Sequence, residues 1–255
     1  TYNKNHNFLE FKKLQLTKTK NISLNVSENY EKVKFNINDE NISKYSNWIQ
    51  YEFDLENDDI NILGISKRDK ENRKINILQS LNKSKSEILN IIPNNFTFFK
   101  RMSFNKNVID NNYNTFINNE NVQEKKLDSV FLEVKEIGEV NINGESILIF
   151  DYENFNIEDY LKSFNQLTKY RGQTIYSGSN LNLSEFDVLD FKISKSFDYV
   201  TKINNFLILS NDINVIQNLI LNYNNRSLIS QDENFIKFLE FIPNKTTYFE
   251  IVNNT

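Results

Sequence analysis

The chain contains only two prolines, and both lie in segments of closely similar sequence. Residues 91–99 read Ile-Ile-Pro-Asn-Asn-Phe-Thr-Phe-Phe, and residues 241–249 read Phe-Ile-Pro-Asn-Lys-Thr-Thr-Tyr-Phe. Each segment follows a short stretch of helical character and begins an aromatic run typical of a strand. Because proline ends a helix and fixes the direction of the chain that leaves it, the two segments predict the same helix-to-strand transition twice. Two coincidental helix-stop turns are the alternative.

If the two segments mark a repeat, they also set the domain organisation. Residues 92–241 then form one complete α+β unit, residues 1–91 the β-rich later part of a preceding unit, and residues 242–255 the opening strand of a further one. We therefore expect an α+β fold of repeated units, each an antiparallel or mixed sheet with helices packed on one face. We also expect the strand at 246–252 to join the sheet of residues 22–63, so that 1–91 and 242–255 make one domain.

Alternating apolar and polar residues predict strands at 22–26 and 33–37. Three pairs of β-prone runs are joined by residues that tolerate turn geometry, and each pair predicts a hairpin. These hairpins join 48–55 to 60–63, 139–142 to 147–150 across Asn143-Gly144, and 197–203 to 206–209. Thr174–Tyr176 is a further predicted strand.

Helices are predicted from apolar periodicity and from capping residues. Leu127, Val130, Phe131, Val134 and Ile137 recur at helical spacing and are followed by Gly138, which predicts a helix ending at that glycine. The other predicted helices span 108–116, 156–168, 215–223 with Asp212 as cap, and 235–241 with Asp232 as cap.

Composition excludes several classes of protein. Hydrophobic residues make up 39% of the 255 residues and aromatic residues 13%, so the chain is expected to be globular rather than disordered. The net charge of −4 argues against nucleic-acid binding. The lack of cysteine excludes disulfides, thiolate nucleophiles and cysteine-based zinc sites. No apolar run has the length of a membrane span, so attachment to a membrane is expected only through an anchor absent from this chain.

The sequence offers no catalytic residues and no cofactor site. His6 is the single histidine, and no phosphate-binding glycine loop is present. Asp54, Glu56, Asp58 and Asp59 form a calcium candidate, although a hairpin turn also favours Asp and Asn at such positions. Asp151 and Glu153, two residues apart, are either an acid/base pair or a charged strand end.

Arg171 is one of the few arginines in the chain and lies in Tyr170-Arg171-Gly172, between a predicted helix and a predicted strand. One interpretation is a clamp for a carboxylate or phosphate of a ligand or partner. The other is a structural arginine that bonds helix-end carbonyls or an internal acid.

Several strings resemble a poorly characterised family of bacterial cell-envelope proteins from Bacteroidetes-type bacteria, which carry an N-terminal membrane anchor and repeated α+β units. The strings are 48–55 with 60–65, 170–176, 206–211 and 232–238. The resemblance implies a non-enzymatic protein at the cell envelope, periplasmic or associated with the outer membrane. It would act through contacts with other envelope proteins, as a subunit of a larger assembly. The alternative is a ligand- or glycan-binding module that uses exposed aromatic residues.

Overall fold

The computed structural model describes residues 22–27, 48–56, 59–66, 74–118, 127–181, 183, 186–188, 191–193, 196–240 and 243–253. For residues 22–27, 48–56, 59–66, 74, 117–118, 180, 186–188 and 192–193 it describes the backbone alone. The predicted strand at 33–37 and His6 lie outside the described residues. The chain divides into two compact units, Thr1–Ile77 and Leu78–Thr255.

The described part of the first unit is a three-stranded antiparallel sheet in the order β1-β2-β3. Its strands are β1 (Ile22–Ser27), β2 (Trp48–Glu56) and β3 (Asp59–Ser66). The predicted hairpin is confirmed, since β2 pairs with β3 from Ile49↔Ser66 to Glu56↔Asp59.

The second unit contains an open, antiparallel, eight-stranded sheet in the order β13-β4-β5-β6-β12-β11-β8-β7. Its strands are β4 (Phe98–Ser103), β5 (Val134–Ile142), β6 (Glu145–Tyr152), β7 (Gln166–Tyr170), β8 (Gln173–Ser177), β11 (Tyr199–Ile203), β12 (Phe206–Ser210) and β13 (Tyr248–Val252). A small separate hairpin joins β9 (Phe186–Val188) to β10 (Phe191–Ile193). The protein is therefore a mixed α+β protein.

Four α-helices accompany this sheet in the described part of the chain: α1 (Lys106–Asn118), α2 (Ile157–Leu161), α3 (Ile213–Asn225) and α4 (Glu233–Leu239). The predicted caps of the last two helices are confirmed. Asp212 accepts a hydrogen bond from the Asn214 amide, and Asp232 accepts one from the Phe235 amide.

The main core lies between one face of the sheet and α3. Ile149 and Ile208, from two central strands, pack there with Ile216 and Leu219 of α3, and all four are fully buried. Because successive side chains alternate between the two faces, Phe150 points to the other face, where its ring lies 5.3 Å from that of Phe131. Both faces of the central strands are therefore covered.

The predicted hairpins of the second unit are confirmed. Val140 pairs with Ile147 across Asn143-Gly144, and both turn residues have positive φ, 56° and 90°. This two-residue turn matches the twist of the strands that it joins, which explains why the Asn-Gly pair predicts it. Ile203 pairs with Phe206 across the second predicted turn.

Two predicted helices are wrong over much of their length. In place of a helix at 127–137 the chain forms a 3₁₀ helix, Ser129–Phe131, and then enters β5. A β-bulge between Val134 and Glu136 adds one residue, so Val134 and Ile137 share a strand face at a spacing that imitates a helix. The helix predicted at 156–168 starts correctly, with Asn156 as its cap, but ends at Leu161 because the following residues pair as β7.

The terminal strand does not join the sheet of residues 22–63, and that expectation is wrong. β13 pairs along its full length with β4, from Tyr248↔Met102 to Val252↔Phe98. Ser84 also bridges Thr246, which draws residues 78–91 into the same unit. The observed division between units therefore lies after Ile77 rather than after residue 91.

The two prolines occupy the predicted places. Pro93 follows the 3₁₀ helix Ile88–Asn90 and precedes β4, and Pro243 follows α4 and precedes β13. Phe98 and Tyr248, the first residues of the two strands, lie the same distance along the chain from their prolines. The two strands that follow the repeated segment are neighbours in one sheet.

Candidate functional site

A buried ion pair joins β4 to β5. Arg101 follows Phe99 on the core face of its strand, and its side chain is 0% exposed, while that of Glu136 is 2% exposed. The Arg101 Nε donates to Glu136 Oε1 over 2.6 Å. An unpaired charge at this depth costs several kcal/mol, so each of these residues requires the other.

The same guanidinium holds the start of β13. Its Nη1 donates to the Thr246 carbonyl over 2.8 Å, and its Nη2 donates to Ser84 Oγ over 2.7 Å. Ser84 and Thr246 also exchange two backbone hydrogen bonds of 3.1 Å. One arginine therefore fixes the last strand and the segment around Ser84 to the sheet.

Both oxygens of the Glu136 carboxylate accept hydrogen bonds from the protein itself. Its Oε2 accepts from the Glu87 amide over 2.9 Å, and its Oε1 accepts from the Ser86 hydroxyl as well as from Arg101. This network is an internal anchor, because its charges are buried and bonded to the protein itself. The sequence analysis did not predict this network. The presence of an arginine between Phe99 and Met102, two apolar residues of β4, could have indicated a buried cation.

Among the acidic residues that the structure describes, Asp151 is the one whose pKa is raised well above its ordinary value. Burial raises the pKa from 3.8 to about 6, the nearby carboxylates of Glu136 and Glu87 add to the rise, and Lys135 opposes it. Lys135 Nζ lies 3.3 Å from Asp151 Oδ2, an ion-pair distance without hydrogen-bond geometry. Asp151 is only 2% exposed.

No acid/base pair forms between Asp151 and Glu153. Asp151 is buried within β6, whereas Glu153 lies beyond the strand end and is exposed. Tyr152 is also buried without a hydrogen-bond partner for its hydroxyl among the described residues, and burial raises its pKa. It points to the opposite sheet face from Asp151, so the two groups do not converge on one site.

Arg171 lies in a turn between two strands, not between a helix and a strand. Arg171 and Gly172 have φ values of 47° and 88° and close the β7–β8 hairpin. The guanidinium carbon lies 5.9 Å from the centre of the Tyr170 ring, and the Arg171 carbonyl accepts from Asn224 at the end of α3. Its side chain is exposed and bonds no helix end among the described residues, so it is open to a partner.

The calcium candidate lies on the β2–β3 hairpin. Glu56 pairs with Asp59 and Asp54 with Asn61, while Asp58 lies outside the described residues. The side chains of this hairpin are not described, so the calcium site stays a prediction. Elsewhere in the described chain no group of three His, Cys, Asp or Glu residues is placed to hold a metal ion.

The sheet of the second unit ends in β13 and β7, each paired on one side in the described structure. The Ser103 amide donates to the Thr247 carbonyl, and the Asn253 amide donates to the Thr97 carbonyl. Since peptide groups alternate in direction along an antiparallel strand, those of Glu250 and Val252 face away from β4. The Val252 side chain is 54% exposed, and Leu167 on β7 is 51% exposed.

Comparison with protein-family models, curated proteins and solved structures finds no match to this chain. Within the described residues, no helix has the length and apolar character required to cross a bilayer. The candidate functional site is therefore defined by geometry alone, and it consists of the two open ends of the sheet, β13 and β7.

Proposed function

We propose that this protein is a non-enzymatic cell-envelope protein that acts through protein–protein contacts, as a subunit of a larger envelope assembly. The observation that carries the proposal is the open sheet, whose end strands each present a large apolar side chain that is more than half exposed. A strand with unpaired peptide groups is a template for pairing with another chain.

The anchoring of β13 supports this role. A partner that pairs with an end strand pulls on that strand, so the strand must be held firmly to its own sheet. Arg101 supplies this hold through the Thr246 carbonyl, and Phe249 and Ile251 pack against the main core. The buried ion pair thus serves the surface that lies next to it.

The envelope location rests on the family resemblance of residues 48–65, 170–176, 206–211 and 232–238, which also implies other envelope proteins as partners. We further propose that the α+β fold is one of repeated units, each with helices packed on one sheet face, as α3 is packed here. The matching positions of Pro93 and Pro243 before neighbouring strands support the repeat.

The alternative, a glycan-binding module, needs exposed aromatic rings. Among the described residues five large apolar side chains are exposed: Leu132, Leu167, Ile236, Phe238 and Val252. Only Phe238 is aromatic. This surface favours contact with protein over stacking on sugars.

The test is capture of partners from the envelope fraction of the source cells, with the full chain as bait and identification by mass spectrometry. Val252→Pro removes an amide that faces away from β4, and therefore blocks the outer edge while leaving the β4 ladder intact. We expect a stoichiometric envelope protein with the natural chain and its loss with Val252→Pro or Lys169→Pro, since the peptide groups of Lys169 face away from β8. Capture that neither substitution changes would contradict the proposal.

A further inference from the structure

The two ends of the sheet carry opposite charges. On β13 the exposed residue whose peptide groups face outward is Glu250, whose carboxylate accepts a hydrogen bond from the Tyr248 hydroxyl over 2.9 Å. On β7 the corresponding residue is Lys169, which is exposed and makes no ion pair with a described residue. The pair Tyr170↔Gln173 closes a two-residue turn and is hydrogen-bonded, so the peptide groups of Lys169 face away from β8.

A row of alternating charges runs to the β13 end of the sheet. Glu139 on β5 lies opposite Lys100 on β4, with Nζ and Oε2 2.9 Å apart, and Lys100 lies opposite Glu250. The row ends at Glu250 with an acid that has no base beyond it in the described sheet. Opposite charges directly across two strands stabilise their pairing, so a basic residue is the favoured next member.

The repeated segment also indicates a basic residue as the partner of Glu250. Glu250 occupies, relative to Pro243, the place that Lys100 occupies relative to Pro93. On its β5 side Lys100 has a strand with an opposite charge, Glu139. On β13 the corresponding side is the one that faces away from β4, and it is open. The residue there, Glu250, is acidic, whereas Lys100 is basic.

Strand direction and sheet faces are also compatible with joining the two ends. Eight antiparallel strands alternate in direction, so β7 runs opposite to β13. A second copy in the same orientation therefore brings its β7 antiparallel to β13. Glu250, through Lys100, and Lys169, through its partner Thr174, both lie on the sheet face opposite the main core.

We propose that the occupant of the β13 edge is the β7 strand of a second copy of this chain, so that successive copies join head to tail into one continued sheet. Lys169 of one copy lies opposite Glu250 of the next, with exposed Leu167 near exposed Val252. Arg171 then lies opposite the Tyr248 ring. The inference rests on the proposed function and names the partner within the assembly.

Pairing of like ends is disfavoured. Two β13 strands bring Glu250 of both copies together, and two β7 strands bring together Lys169 and Arg171 of both. Like charges on facing strands destabilise the pair. A head-to-tail contact avoids both conflicts, and because it is heterologous it does not close at two copies.

Sedimentation velocity of the full chain over a range of concentrations tests the inference. The natural chain should show a mass that rises with concentration past the dimer and falls with added salt. Glu250→Lys and Lys169→Glu should each weaken association about five- to tenfold, and the double charge exchange should restore it. Glu145→Lys, an exposed reversal away from both ends, is the control and should associate like the natural chain.

A chain that stays monomeric at every concentration would overturn the inference, while partner capture would still decide the proposed function. Association that stops at a dimer, or single variants that the double variant does not rescue, would also overturn it. Circular dichroism of the dilute variants separates loss of association from loss of fold.

Discussion

At the residue scale, the second unit depends on one arginine that is satisfied entirely by its own protein. Arg101 reaches Glu136, Ser84 and Thr246, so it joins β4, β5, the segment before the 3₁₀ helix Ile88–Asn90 and the start of β13. Removing the cation leaves the Glu136 carboxylate buried with no counter-charge. The cost of such a change comes from the charge left behind more than from the lost contact.

We therefore expect Arg101→Met to lower the free energy of unfolding by about 3–5 kcal/mol, measured by urea denaturation. The double variant with Glu136→Leu should lose less than the sum of the two single variants, because it removes both buried charges. Strictly additive losses would show that the two residues do not act as a pair.

A second prediction concerns Asp151 and the dependence of the protein's stability on pH. Its pKa is raised in the folded protein to about 6, so folding favours the protonated form. The stabilisation is fully present below the ordinary value of 3.8 and is lost as the pH rises towards 6. Asp151→Asn, which does not ionise, should gain stability relative to the natural chain across this window.

The measurement is urea denaturation of both proteins at several pH values, compared as a difference so that the other titrating groups cancel. Glu153→Gln, at an exposed neighbour, is the control and should show a flat difference. A flat difference for Asp151→Asn as well would contradict the buried placement of this carboxyl.

At the element scale, strands and caps follow from local sequence where turn chemistry is strong. The Asn143-Gly144 pair and the Asp212 and Asp232 caps each marked a real turn or helix start. The helix predicted at 127–137 failed because a β-bulge reproduces helical spacing in a strand, and only the pairing partner reveals the bulge. The strand that pairs with β13 could not be predicted from local sequence either, because every strand with an unpaired edge is a candidate neighbour.

The candidate site was predictable in part. The rarity of arginine in this chain points to Arg171, which is exposed beside the β7 edge, but its position in a β-turn rather than at a helix end does not follow from the local sequence. Glu250 and Lys169 belong to no sequence motif. They are singled out because their peptide groups face away from the sheet, which only the strand pairing reveals. The Arg101 network joins residues far apart in sequence, which a local pattern does not show.

Gly178 gives an element-scale prediction. A Cβ at this residue would lie 1.8 Å from the backbone carbonyl oxygen of Phe197, where no side-chain movement relieves the contact. Gly178→Ala should therefore displace the start of β11 and lower the free energy of unfolding by more than about 1 kcal/mol. Ser179→Ala, at the exposed neighbour, should change it little, and equal thermal midpoints for the two variants would contradict this placement.

Deletion of residues 243–255 separates the observed pairing of β13 from the alternative with residues 22–63. Because β13 covers β4, the deletion should lower the stability of the second unit by several kcal/mol. The single tryptophan, Trp48, reports the first unit, so its fluorescence transition separates the two units. A shift confined to the Trp48 transition would contradict the observed pairing.

At the scale of the whole molecule, the proposed function lies at the ends of one sheet. The interior of the second unit fixes these ends through the main core and the Arg101 network, and their outer edges remain open in the described structure. Such edges favour pairing unless charge, proline or a bulge prevents it. In this protein β7 has a bulge between Gln166 and Thr168, and the charges at the two ends are of opposite sign, which favours a head-to-tail contact over pairing of like ends.

Backbone amide hydrogen exchange, read by NMR in dilute solution and again in the assembled or partner-bound state, tests whether the two sheet ends are the contact surfaces. We expect the Glu250, Val252 and Lys169 amides to exchange rapidly when dilute and to become protected on assembly. Amides of central β12, such as those of Leu207 and Ile208, should be protected in both states. Unchanged exchange at all three edge amides, with protection appearing elsewhere on the surface, would contradict a contact through these sheet ends.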